Sequence, residues 1–160
     1  MTGIITAIFV APTRHSNQTV INAVQVKARK GIVGDRFFGF RNNQPSRNLT
    51  FIEAEIISEF NRTFQQSIPL NATRRNFITQ GIRLNNLVGR IFRVGDVLCR
   101  GVELCEPCPV MARQLPPCPL SKTQIITAFT GKGGLRAEAL SDGIVQLGDG
   151  VVIVDDTPGM

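Results

Sequence analysis

Apolar positions in this chain fall in short runs broken by glycine, and only one stretch keeps a helical period. Ile4–Val10 is rich in isoleucine and ends at Ala11-Pro12, the pattern of a β-strand. Thr19–Val26 predicts a second strand. Ala28–Gly34 is basic and punctuated by Gly31 and Gly34, which predicts a turn. Phe38–Asn48 is polar, carries Gly39, Asn42, Asn43 and Pro45, and reads as a long surface loop. Thr50 followed three residues on by Glu53 has the form of a capping box. Ile52, Ile56, Ile57, Phe60 and Phe64 then recur at helical spacing. A helix is therefore predicted from Thr50, ending before Pro69, with its apolar stripe in the core.

Beyond that helix the pattern returns to short β segments. Arg90–Val94 alternates, Gly95-Asp96 makes a turn, and Val97–Cys99 and Val102–Leu104 follow. Leu135–Leu140, Ile144–Leu147 and Gly150–Val154 are further strands, separated by Ser141-Asp142-Gly143 and Gly148-Asp149-Gly150. Many short strands with regular turn signals predict a mainly β fold with few helices, a closed or partly open β-barrel. The 160 residues suit a single domain, predicted over 1–156, with a loose tail over 157–160.

Composition adds two constraints. Ile4–Val10 is too short to span a membrane and no positive segment precedes it, so the chain is expected to be cytoplasmic, with its thiols reduced. Cys99, Cys105, Cys108 and Cys118 are then not expected to form a disulfide framework. The net charge is +6, and 14 of the 18 basic residues are arginine, whose planar fork suits phosphate and carboxylate partners. A solvated basic surface accounts for the same numbers.

Candidate chemistry centres on Leu104-Cys105-Glu106-Pro107-Cys108-Pro109, a thiol held between two prolines. The chain has one histidine, His15, and no tyrosine or tryptophan, so sulfur is its main nucleophile or soft ligand. Proline fixes its own φ and biases the residue before it, which places Cys108 on a preset turn. Pro109 suits the first position of a short helix over Pro109–Leu115, with Cys108 as its cap. There a thiol meets the positive end of the helix dipole, which favours the thiolate. The competing reading is a buried, inert thiol. Zinc needs four ligands, usually from two paired motifs, and only one Cys-x-x-Cys pair is present. Cys99 lies in a strand pattern, where free cysteine is commonly a small apolar group. Two further sets could bind anions: Gly34-Asp35-Arg36-Phe37-Phe38-Gly39, and Arg74-Arg75-Asn76-Phe77 ahead of Gly81.

In order along the chain, these sets resemble the MOSC domain family, named for the C-terminal domain of molybdenum cofactor sulfurases. The resemblance rests on Gly34-Asp35-Arg36, Leu49-Thr50-Phe51-Ile52-Glu53, Arg74-Arg75-Asn76-Phe77-Ile78-Thr79 with Gly81, and Leu87-Val88-Gly89-Arg90-Ile91-Phe92. It continues through Val94-Gly95-Asp96, Cys105-Glu106-Pro107-Cys108, Gly133-Gly134-Leu135-Arg136-Ala137 and Gly148-Asp149. It implies a barrel like that at the C-terminus of pyruvate kinase, and binding of the pterin-based molybdenum cofactor (molybdopterin). It also implies that Cys108, more than Cys105, ligates molybdenum or carries sulfur. The anionic pterin would meet a lip made of Arg36, Arg74, Arg75 and Asn76, with Asp35 beside them. Many relatives place histidine directly after the Gly-Asp-Arg triplet. This chain has Phe37 there, which removes any proton-transfer role at that position.

Three functions follow as expectations. One is a molybdenum-dependent oxidoreductase acting on N-hydroxylated compounds with electrons from a partner protein. Another is a non-enzymatic sulfur carrier or cofactor-delivery module served by a sulfur-donor protein. The third, a basic nucleic-acid-binding barrel, fits less well, because phenylalanine is the sole aromatic type and no lysine-rich run exists.

Overall fold

The computed structural model describes residues 2–39, 48–107 and 109–154. Seven strands close into a ring: β1 (Thr2–Val10), β5 (Leu49–Glu53), β6 (Phe77–Gln80), β7 (Ile91–Val94), β8 (Val97–Leu104), β9 (Leu135–Ala139) and β11 (Gly150–Ile153). Around the barrel the order is β1-β6-β5-β9-β8-β7-β11, and β11 returns to β1. All these pairings are antiparallel except β5 with β6, which α1 (Ala54–Phe64) connects on the outside. A parallel pair needs such a crossover. β2 (Thr19–Val20) adds to β1. β3 (Ala23–Lys27), β4 (Gly31–Ile32) and β10 (Gly143–Gln146) form a separate three-stranded sheet.

Two cores follow from the alternation of side chains along the strands. Inside the barrel, Leu49, Phe51, Phe77, Phe92 and Leu135 pack together. Phe51 stacks on Phe77 with ring centroids 4.9 Å apart and meets Phe92 edge-on at 5.8 Å. Outside it, Ile52, Ile78 and Ala7 face a layer made of α1, α2 (Pro109–Gln114) and α3 (Lys122–Phe129). Phe60 of α1 stacks there on Phe129 of α3 at 5.0 Å. Both faces of β5 are thus buried, and fully burying a phenylalanine such as Phe51 contributes roughly 2–3 kcal/mol.

Several predicted elements are corrected. Thr50 and Glu53 form no capping box; both belong to β5, and Glu53 takes the N-cap position of α1, which starts at Ala54, without a side-chain capping bond. Leu49-Thr50-Phe51-Ile52 favours extended backbone, and β5 is paired on both sides by β6 and β9. That pairing outweighs a cap worth about 1 kcal/mol. The predicted strand Thr19–Val26 breaks at Ile21-Asn22 into β2 and β3. The turn predicted over Ala28–Gly34 contains the two-residue β4. Val97–Cys99 and Val102–Leu104 are one strand, with a register shift between Gly101 and Glu103. The loop predicted over Phe38–Asn48 lies mostly outside the described residues, and its last residue, Asn48, is buried and donates from Nδ2 to Arg29 O at 2.8 Å. The predicted tail, 157–160, also lies outside them. α3 was not anticipated, although Ser121 and Gln124 form a true capping box at its start. No described helix is long and apolar enough to cross a membrane.

Candidate anion-binding site

Three arginines from two distant segments lie near enough that Arg74 and Arg75 act on the charge of Arg36, and the third, Arg75, reaches the segment packed on the cysteine loop. Asp35 anchors the first. Its carboxylate is buried and accepts from Ala11 N at 3.0 Å, Phe37 N at 3.2 Å and Arg36 Nη1 at 3.2 Å. This fixes Arg36, whose guanidinium also lies 4.3 Å from the centroid of the Phe37 ring. Arg36 Nη2 then donates to Arg74 O at 2.8 Å, tying the Gly34–Gly39 segment to the one leading into β6. Arg74 has a φ of 60°, a left-handed conformation that is costly outside glycine. Its Nη2 donates to Ser16 O at 2.9 Å and Arg14 O at 3.3 Å. Arg75 Nε donates to Gly133 O at 3.0 Å.

That last bond carries the cluster to the thiols. Gly133 packs so closely on the carbonyl of Cys105 that a methyl group there would overlap it. The Cys105 N–H donates to Gly134 O at 2.7 Å. The start of the cysteine loop is therefore fixed against the segment that Arg75 holds. Cys105 itself is buried. Cys108 lies outside the described residues, as does the cap assigned to it, while α2 begins at Pro109 as the sequence predicts. Cys118 is half-buried. Cys99 is buried in β8, where desolvation pushes its thiol up to about 12, the behaviour of an inert core group. Among the described residues no group of three or more His, Cys, Asp or Glu is placed to hold a metal ion.

Asn76 is fully buried and its amide is spent on the frame: Nδ2 donates to Phe9 O at 3.0 Å, and Oδ1 accepts from Thr50 Oγ1 at 3.1 Å. Asp35 and Asn76 therefore shape the site, and the three guanidiniums supply its charge. Arg36 has Asp35 as counter-ion, but Arg74 and Arg75 have no carboxylate partner among the described residues; their bonds run to neutral carbonyl oxygens. Burial first, then Arg74 and Arg75, holds the Arg36 guanidinium below its usual value, with Asp35 acting the other way. Like charges gathered in a half-buried place favour an incoming anion.

Sequence reasoning missed Gln18 and the Thr13–Ser16 turn, which carry no motif. Gln18 Nε2 donates to Arg75 O at 3.2 Å, and its buried Oε1 has no partner among the described residues. Gly133 and Gly134 were recognised as a motif, without the close approach that explains them. A different hollow, between α1 and α3, is lined by Ile56, Phe60, Phe64 and Phe129. Its charged residues, Glu59 and Lys132, pair with each other at 3.5 Å, so it offers no spare charge.

The sequence profile of the MOSC domain matches residues 39–152. The chain belongs to the MOSC domain family. The match takes in Arg74, Arg75 and both cysteines of the Cys105–Cys108 loop, and begins three residues after Arg36. In structure the chain is similar to YuaD from Bacillus subtilis, at 17% identity and a TM-score of 0.80, covering 94% of each chain. It is also similar to YiiM from Escherichia coli, at 19% identity and a TM-score of 0.73, covering 100% of this chain and 73% of that one. YiiM from Geobacillus stearothermophilus gives 17% identity and a TM-score of 0.71, over 96% and 75%. At these identities the likeness speaks to the fold. No curated protein matches in sequence. The MOSC barrel expected from the ordered motifs is thus the fold observed.

Proposed function

We propose that this MOSC protein binds the molybdenum cofactor through Arg36, Arg74 and Arg75, with Cys108 as the thiol that ligates molybdenum or carries sulfur. The observation that carries the reading is that the Arg74 and Arg75 guanidiniums have no carboxylate partner among the described residues, with Arg75 joined through Gly133 to the base of the cysteine loop. A pterin phosphate suits them, because arginine binds phosphate through two parallel donors. Gln18 Oε1, buried and without a partner among the described residues, suits the other part of such a ligand: a pterin ring offers N–H donors. Cys105 is buried and its backbone is engaged, which favours Cys108 for the thiol role.

When bound, the cofactor supplies a metal centre for oxygen-atom or sulfur chemistry. The protein's own contribution is positional. Asp35 and Asn76 hold the frame, Arg36 and Arg74 lock two loops together, and Arg75 couples the anion to the Gly133–Cys105 contact. Reduction of N-hydroxylated compounds would draw electrons from a partner protein; a sulfur-carrier role would draw sulfur from a donor.

The test is to purify the protein from cells that make the cofactor and to measure molybdenum, pterin and intact mass. Molybdenum and pterin that disappear in Cys108→Ser, or one extra sulfur that does so, support the reading and separate its two forms. Wild-type protein carrying neither, with Cys108→Ser indistinguishable from it, refutes it.

A further inference from the structure

The chain's single histidine sits beside the arginine cluster, on a turn with more cross-links than a surface loop needs. His15 lies in the turn Thr13–Ser16 and is exposed. Ser16 N donates to Thr13 O at 3.3 Å, and Ser16 Oγ donates to the same oxygen at 2.9 Å while accepting from Thr13 N at 3.1 Å. Arg74 Nη2 grips the turn from the other side, through the carbonyls of Arg14 and Ser16, the two residues that flank His15. The backbone of His15 is thus pinned next to a guanidinium that has no carboxylate partner among the described residues.

From this placement we infer that His15 is a proton-linked arm of the anion site: it takes up a proton from solvent when a doubly charged oxyanion binds, and pairs with that anion. The inference rests on the arginine cluster being an anion site and names the fourth group in it. Around the turn, the charged groups are Arg14 on the turn itself, Arg74 and Arg75 ahead of β6, and Arg36 with its partner Asp35. A bound dianion gripped by Arg74 would add negative charge next to the turn that carries His15, and histidine is the side chain that changes charge near neutral pH. Linkage then requires the anion to bind more tightly as pH falls.

The test uses inorganic sulfate, whose charge is constant across this range. Sulfate affinity is measured by calorimetry at about pH 8 and about pH 6, the window in which a histidine titrates. In parallel, the lone imidazole signal is followed by NMR with and without sulfate. Wild type should bind sulfate about fivefold more tightly at the lower pH, the effect of one exposed ion pair. Sulfate should also raise the midpoint of the imidazole titration. His15→Gln should keep the weaker, high-pH affinity at both pH values and unfold at an unchanged temperature. A thiol losing its proton would give wild type the same sign of pH dependence, but that dependence would survive in His15→Gln and so overturn the inference. Sulfate binding that ignores pH overturns it too, leaving the arginine reading intact. No sulfate binding in wild type, matched by Arg74→Gln and Arg75→Gln, refutes both.

Discussion

Removing the Asp35 carboxylate tests whether the site's frame is electrostatic. Asp35 and the Arg36 side chain are 0% and 9% exposed, and the carboxylate accepts three hydrogen bonds, two of them from backbone N–H groups. Asp35→Ala orphans both N–H groups and leaves a buried guanidinium facing Arg74 and Arg75 with no counter-charge. Breaking one side of a buried pair costs about 3–5 kcal/mol. In a chain of this size each kcal/mol lowers Tm by about 2–4 °C, so Tm should fall by roughly 6–20 °C. Asp35→Asn keeps the shape and one acceptor and should cost about half as much, since a hydrogen bond to a charged group is worth roughly 1.5–3 kcal/mol. With no tryptophan or tyrosine to report, urea unfolding is followed by far-UV circular dichroism. The double variant Asp35→Ala, Arg36→Met carries the decision. If the stranded charge is the cost, the double variant recovers at least a third of the loss. A loss under about 1 kcal/mol in Asp35→Ala, or no recovery in the double variant, refutes the argument.

Alkali tests the core thiol. Folded Cys99 holds its proton to about 12, against an ordinary 9.0 when unfolded, so between those values the unfolded state binds fewer protons and stability falls as pH rises. From pH 9.0 to about 10.5 wild type should lose roughly 2 kcal/mol more than Cys99→Val; equal losses in the two proteins would contradict the burial argument. Gly133→Ala must push the Cys105 carbonyl away and should weaken both stability, by about 2 kcal/mol or more, and sulfate binding. Gly34→Ala meets no neighbour, so its φ of 88° alone should cost it about 1 kcal/mol; equal effects in the two variants would show that close approach at Gly133 does not matter.

The barrel was legible because its signals are local. Glycine-broken apolar runs such as Arg90–Val94 and Gly150–Val154 sit where β7 and β11 do. The error at Thr50 arose where two local signals competed: a capping-box spacing and a β-favouring run, decided by pairing with β6 and β9 that no window of sequence contains. α3 was overlooked for the opposite reason. Its capping box is real, but its apolar face is weak, with only Ile125 and Phe129 buried, so no periodic stripe announced it. The arginines of the site could be named from the chain because they sit in compact motifs. Their partners could not, since Gln18, Ser16 and Gly133 are joined to them by bonds spanning 57 or 58 residues.

Those long-range bonds bear on how the site could respond to a ligand. Arg36, Arg74 and Arg75 each donate to a backbone carbonyl of a different loop, so the donors that would grip an anion also fix the loops. A guanidinium has five N–H donors, and the bonds made among the described residues leave several on each side chain for a ligand. An anion can therefore add to the frame without dismantling it, drawing the loops at Ser16, Arg74 and Gly133 toward one centre. The Cys105 N–H bond to Gly134 transmits that order to the base of the cysteine loop. Anion binding should then slow amide exchange at Ser16, Arg74 and Cys105 together, whereas an anion held only by exposed side chains would leave those three amides unchanged.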